Sequence, residues 1–433
     1  MKKLRIISAA AAAAVLLSGC SISVGTNRDT RISSIQGVKD DEVVATPLGT
    51  GSGESDMDIS YLDFKKEYLY YLDSYGITDD TDESTASTCT EQRATIINYL
   101  INEKIILDQA DKMGIGTLSE EETAALNEEF DALVDEQIAY FGENADYGTL
   151  ATGEVISDDE MQERGGELFD EFLAQSGLTR DDLYMWQVSA AITEKVQDEV
   201  TKDVSVDRDE AQAQYDAYVD SVKALYEDDV EEYENGSYYV FWIPEGSRRI
   251  KHILLAFDDT VSDEITLLRE SDGDEAAEEY RAEQAELLQS ELDEVMELIE
   301  DGSDFDELIE TYSADSTGSS YYPDGYLVVP NGVTFMTEFQ TAAFELENVG
   351  DITTCVTDYG VHIMLYASEA YVPQENIDSY VDYLYEVMTE NEKTTVFSEK
   401  LSEWKQEYDY QISYDLLAIE ESSDTAESSA EAS

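Results

Sequence analysis

From residue 59 to about residue 229, apolar side chains recur every three or four positions, the period of helices that bury one face. FKKEYLYYLDSYG is a short amphipathic segment, and RATIINYLINEKIILDQADKMG carries an apolar stripe through Ile97, Leu100, Ile101, Ile105 and Met113. In TLSEEETAALNEEFDALVDEQIAYFG, Ser119 precedes a run of acids, which suits both an N-cap and the helix dipole. LFDEFLAQSGLTRDDLYMWQVSAAITEKVQDEV predicts two helices broken at Gly177, the second capped by Thr179, and DRDEAQAQYDAYVDSVKALY predicts another.

The period changes near Ser237. SYYVFWIP and RRIKHILLAF are short, aromatic and β-branched, and predict that a second domain opens with strands. An acidic stretch, DDTVSDEITLLRESDGDEAAEE, reads as the loop after the first strand. Ala285, Leu288, Leu292, Val295 and Ile299 then predict one helix ending at Gly302, and Phe305, Leu308, Ile309 and Tyr312 a shorter one. YLVV, the helical EFQTAAFEL, ITTCVT and VHIMLY complete a β-α-α-β-α-β-β order, an α+β domain with a small, mainly antiparallel sheet. Beyond it, Ile377, Tyr380, Leu384, Met388, Phe397, Leu401 and Trp404 mark a long amphipathic helix, followed by the strand-like ISYDLLAI. Residues 420–433 are acidic, Ser- and Ala-rich, and predict a disordered tail.

The N-terminal twenty residues follow neither period. MKKLRIISAAAAAAVLLSGC has a basic start, an apolar run too short to span a bilayer, and small residues before Cys20, the plan of an export signal. LLSGC also resembles the lipobox of bacterial lipoproteins, which implies lipidation of Cys20. Residues 21–57 are Gly-, Ser- and Thr-rich, and predict a flexible tether.

Composition narrows the partners. Against 25 Lys and Arg stand 100 Asp and Glu, a net charge of −75, which repels phosphate backbones and excludes nucleic acid. The 42% of hydrophobic residues is ample for real cores in 433 residues. Beyond Cys20 the remaining cysteines are Cys89 and Cys355, in segments assigned to different domains, and are expected to be free thiols.

The chain has two histidines, His252 in RRIKHILLAFDD and His362 in TDYGVHIMLY, each inside an apolar strand where a polar ring needs a partner. From about Arg248 to Val372 the chain resembles parvulin-type peptidyl-prolyl isomerases. The resemblance rests on KHILL, GSDFDELIETYSADS, FMTEFQTAAFEL, VGDIT and TDYGVHIML in the family's order. With a signal, a lipobox, helices before and a helix after, the whole resembles the PrsA foldase lipoproteins, related in plan to SurA-like chaperones.

The resemblance implies that His252 and His362 hydrogen-bond to each other beneath the active-site cleft, with Asp315 close to the X-Pro bond. Phe335, Met336 and Phe339 would receive the proline ring, with Tyr326 on a further wall and Thr357 and Tyr359 on the flanking strand. It divides the chain into a signal peptide (1–20), a tether (21–57) and a helical chaperone domain (58–245). An isomerase domain (246–372), a C-terminal helix completing the chaperone lobe (373–419) and the tail (420–433) follow. It implies exported, unfolded polypeptides as partners, a lipid anchor at Cys20 on the extracytoplasmic face, no cofactor and no metal, and leaves the oligomeric state open, a dimer included.

Overall fold

The computed structural model describes residues 31–145, 156–271 and 273–419. Cys20, the export signal and the acidic tail lie outside them. The chain divides by its packing into one unit of residues up to 204 and from 391 onward, and a second unit of residues 205–390.

In the first unit, strands β1 (Val43–Pro47) and β2 (Ile59–Ser60) lead into helices α1 (Tyr61–Ser74), α2 (Ala86–Met113), α3 (Glu120–Glu143), α4 (Asp158–Gln175) and α5 (Arg180–Thr201). Ser60, Ser119, Ser157 and Thr179 each open a helix with a reciprocal capping box, satisfying donors that the first turn leaves free. Antiparallel β1 pairs on one side with β2 and on the other with β7 (Tyr410–Ile412), Ala45 lying opposite Ile412. Val44, Ile59, Phe64, Tyr68, Ile97, Ile105, Trp404 and Tyr408 form the core below. Gly142 and Gly165 let α3 and α4 cross closely, since a Cβ on Gly165 would meet the Ile138 carbonyl at 2.0 Å.

Residues 31–57 differ from the expected tether: Ile32, Ile35 and Val44 are buried, and Ser413 N donates to Val44 O at 2.9 Å. The β7 partner of Val44's strand lies more than 300 residues away, so no local pattern announces that pairing. Arg93, 3% exposed, anchors this join with its guanidinium on Asp80, the Tyr68 hydroxyl and the Ala418 carbonyl.

The second unit opens with α6 (Arg208–Asp228) and α7 (Val230–Asn235), then β3 (Arg248–Ala256). SYYVFWIP is not a strand. Tyr238–Val240 is a single 3-10 turn, and Tyr233 and Trp242 pack edge to face, so these aromatics serve a local cluster rather than a ladder. The acidic stretch is helical instead, forming α8 (Asp259–Ser271) and the start of α9 (Asp274–Leu287), because Ile265 and Ala277 bury one face. The single helix expected through Ala285 to Ile299 is two, with α10 spanning Gln289–Glu300 and Leu288 at the junction.

After α11 (Phe305–Tyr312) and α12 (Ser316–Tyr321) come β4 (Tyr326–Val328), α13 (Thr337–Glu345), β5 (Ile352–Thr357) and β6 (Gly360–Glu369). The four strands form one antiparallel sheet in the order β4-β3-β6-β5. Its register sets His252 opposite Met364 and Leu254 opposite His362, so the even-numbered residues of β3 and β6 share a face. On that face α13 packs through Phe339 and Ala343 on Ile250, Val328 and Met364. The other face buries Ile253, Leu255, Val361 and Ile363 under Val295 and Leu308 of α10 and α11. Helix α14 (Gln374–Tyr408) gives Val381 to this unit, against Ala211 and Tyr215.

Candidate functional site

The register that pairs Leu254 with His362 makes the two histidines diagonal neighbours on one sheet face. Their rings stack at 21°, and the two Nδ1 atoms lie 3.0 Å apart with both residues buried. The hydrogen bonds continue outward on both sides. His252 Nε2 lies 3.0 Å from Asp315 Oδ2, and His362 Nε2 lies 2.8 Å from the Thr357 hydroxyl.

One assignment of protons satisfies every link. An ionised Asp315 only accepts, so His252 donates from Nε2 and, as a neutral ring, accepts at Nδ1. His362 then donates from Nδ1 and accepts at Nε2 from the Thr357 hydroxyl, whose oxygen in turn accepts from Tyr359 N at 3.2 Å. Neutral rings are what burial favours. It lowers the affinity of His252 for a proton despite the Asp315 carboxylate beside it, and with His252 nearby it pushes His362 down to about 3. Burial works to raise the Asp315 carboxyl, but hydrogen bonds from Tyr326 and His252 outweigh it and hold it below its ordinary value.

Asp315 sits at the N-cap of α12, where Oδ1 accepts from Gly318 N at 3.2 Å and Oδ2 from the Tyr326 hydroxyl at 2.6 Å. Tyr326 opens β4, and its ring stands edge-on to His252 at 5.4 Å and to Phe335 at 5.7 Å. Phe339, on the first turn of α13, lies 5.4 Å from both histidine rings and stacks on Phe335 at 5.1 Å. Met336, half-buried, precedes α13 as its N-cap, and Tyr359 is exposed in the turn between β5 and β6. The folded chain thus gathers His252, Asp315, Tyr326, Phe335, Phe339, Thr357 and His362 into one aromatic and hydrogen-bonded cluster.

A cavity of about 240 Å³ opens beside it, lined by His252 and Tyr326 with Tyr322 and Pro323 from the loop before β4, and Ile309 of α11. Lys251 stands at its edge, held 2.7 Å from both carboxylate oxygens of Asp306. Phe335, Met336, Phe339, Thr357 and Tyr359 do not line this space. No group of three His, Cys, Asp or Glu arranged to hold a metal ion occurs among the described residues.

Two features escaped the sequence reading. Gly318, in YSADSTGSS, had no signal beyond being a glycine. The second is a buried ion network behind the site: Arg281 of α9 contacts Glu338 of α13 at 2.5 Å and Asp358 at 3.2 Å, and Arg269 grips Asp358 with two bonds. Two arginines spaced twelve apart within an acidic run were its only trace. Cys89 is buried and Cys355 half-buried, and both are free thiols. Burial pushes the Cys355 thiol up to about 12.

Comparison with known proteins places this cluster in context. Residues 244–368 match the PPIC-type PPIASE domain family. The Foldase protein PrsA of Clostridium botulinum (strain 657 / Type Ba4) is 23% identical over 344 residues, covering 79% of this chain and 80% of that protein. That of strain Langeland is 24% identical over 334 residues, covering 76% of each. Among solved structures, PrsA from Bacillus subtilis is 15% identical and covers 85% of this chain and 93% of its own, with a TM-score of 0.20. A structure from work on the SurA-like chaperones PEB4 and Cj1289 of Campylobacter jejuni is 19% identical, covering 63% and 91%, with a TM-score of 0.26.

Proposed function

We propose that this chain, whose residues 244–368 match the PPIC-type PPIASE domain family and which is 23% identical to a PrsA foldase over 79% of its length, binds unfolded exported polypeptides and catalyses rotation about their X-Pro bonds. The observation that carries this reading is the hydrogen-bonded chain from Thr357 through His362 and His252 to Asp315, set beside Tyr326, Phe335 and Phe339.

The tertiary amide of X-Pro rotates over a barrier of about 18–20 kcal/mol because twisting forfeits resonance. The twisted amide carries less charge on its carbonyl oxygen than the planar one. Apolar surroundings and a nearby carboxylate therefore disfavour the planar isomers more than the transition state. In this reading Phe335, Met336, Phe339 and Tyr326 take the pyrrolidine ring, while Thr357 and Tyr359 flank the bound segment. The neutral histidine pair holds Asp315 at the lip, and no covalent step is needed. Lowering the barrier by about 5–7 kcal/mol, on the order of 10⁴–10⁵ in rate, brings the exchange to milliseconds.

The helical domain at 58–245 with the helix at 373–419 would hold the client, and a lipid at Cys20 would keep the protein at the extracytoplasmic membrane face. No helix among the described residues is long and apolar enough to cross a membrane. A Cys20→Ser variant recovered in the membrane fraction as fully as the parent removes the anchor.

The deciding measurement is NMR exchange or protease-coupled isomerisation of X-Pro peptides, run beside suppression of client aggregation. Acceleration lost in Asp315→Ala supports the enzyme. Suppressed aggregation without acceleration selects a binding-only chaperone, the reading favoured by the hydroxyl-bearing Tyr326 on the pocket wall.

A further inference from the structure

Three atoms meet where the resemblance implied only that Tyr326 forms a wall of the pocket. The Tyr326 hydroxyl lies 2.6 Å from Asp315 Oδ2, the same oxygen that receives His252 Nε2 at 3.0 Å, while Gly318 N supports the other oxygen at 3.2 Å. Gly318 does more than donate. A Cβ built there would stand 1.7 Å from the Tyr326 hydroxyl and 2.7 Å from both Asp315 oxygens. That glycine has an ordinary negative φ, so backbone freedom is not what requires it. Space for the hydroxyl is.

We propose that Tyr326 is a positioning residue whose hydroxyl holds the Asp315 carboxylate against His252, and that the missing side chain at Gly318 is what admits this contact. The contact has a built character. The Tyr326 ring is fixed by Tyr322 at 4.9 Å, Phe335 at 5.7 Å and His252 at 5.4 Å, so its hydroxyl arrives already oriented and little rotamer freedom is lost on bonding. Two donors on one carboxylate oxygen favour the ionised form, because a protonated carboxyl accepts less well. An ionised Asp315 fixes His252 in its Nε2–H form and thereby sets the donor direction of the whole chain to Thr357.

The titratable groups acting on Asp315 are His252 on β3, His362 behind it on β6, and Tyr326 on β4 with Tyr322 beyond. Lys251, Asp306 and Glu310 stand around the adjoining cavity. Tyr326 is itself far from ionising, since burial and the Asp315 carboxylate both push its phenol up, so it remains a donor throughout the working range.

The proposal deepens the isomerase reading and rests on it for its catalytic consequence, but its test does not. The chain has two histidines, so ¹⁵N-histidine labelling of the full chain gives four ring-nitrogen signals. Between pH 3 and 7 the His252 Nε2 signal reports Asp315 ionisation, with Asp315→Asn as the baseline that lacks it. Protonation of His252 itself moves both of its nitrogens and is thereby separated. Tyr326→Phe keeps the ring and removes the hydroxyl. It should raise the Asp315 midpoint by about half to one pH unit, the equivalent of one hydrogen bond. Gly318→Ala should do the same, and the acid limb of kcat/KM should move upward with both. An unchanged midpoint in Tyr326→Phe overturns the proposal, and a shift there without one in a folded Gly318→Ala overturns the part assigned to the glycine. If the parent chain shows no isomerase activity, the functional reading fails while the nitrogen signals still decide this one.

Discussion

Replacing His362 with leucine removes one ring from the centre of the hydrogen-bonded chain, and the cost should depend on pH in a calculable way. His362 binds protons near pH 6.5 when unfolded but only near pH 3 when folded, burial being the main cause and His252 the next. Its folded value lies below its unfolded one, so protons favour the unfolded chain. The stability it contributes is fully present above about pH 6.5 and is lost as pH falls from there toward 3. Between pH 7 and pH 5 the loss comes to about 2 kcal/mol.

At pH 7 the variant should be markedly less stable than the parent. His252 Nδ1 and the Thr357 hydroxyl each lose a buried partner, at about 1–3 kcal/mol apiece. At pH 5 that difference should shrink by about 2 kcal/mol, because the parent has already lost what the variant never had. Trp242 is the tryptophan of the second unit, so urea unfolding followed by its fluorescence, with Trp186 and Trp404 changed to Phe, reads the domain concerned. Using the difference between variant and parent cancels the titration of the many surface carboxylates. A difference that is the same at both pH values, or larger at pH 5, refutes the neutral buried pair.

Three further outcomes are expected. Asp315→Asn keeps the shape but not the charge; losing a charge-assisted bond of about 1.5–3 kcal/mol should lower kcat/KM roughly 10- to 150-fold in a peptide isomerisation assay. Arg281→Met leaves the partly exposed Glu338 without its cation while Asp358 keeps Arg269, and should cost about 1–3 kcal/mol in urea unfolding, with Phe339, next to Glu338, losing its fixed position. In the first unit, burial and the neighbouring Glu103 push Glu67 up to about 8, so its charge opposes folding above its unfolded value of 4.5. Glu67→Gln should therefore stabilise that unit by about 1–3 kcal/mol at pH 7 and by much less at pH 4.5, as thermal unfolding at the two pH values would reveal.

The periodic patterns located most helices and strands because burial of one face is a local property of spacing. Ser119 and Thr179 cap their helices as their neighbours dictate, and the long helix after residue 373 needs only its own stripe. Patterns failed where a segment's partner lies far along the chain. Residues 31–57 carry few apolar side chains and look like a tether, yet Val44 is buried because β7 pairs with β1. The acidic run after β3 looks like a loop, yet Ile265 and Ala277 close a small core and Arg269 and Arg281 gather surrounding carboxylates. SYYVFWIP has the composition of a strand, but its rings find an aromatic cluster before they find a ladder.

The same division runs through the site. Two histidines in apolar strands already demanded polar partners, since a buried unpaired ring is costly and the chain offers few alternatives. That demand was legible from residue types alone. Which atoms meet was not: the pairing register of β3 with β6 sets the Nδ1 contact, and a turn of α12 brings Asp315 to His252. Spacing along the chain fixes what a side chain needs, but hydrogen bonds form over about 3 Å in directions that only the packed strands and helices determine. For that reason Tyr326 read as a wall and Gly318 as nothing, until the fold placed a hydroxyl where a methyl group would have to be.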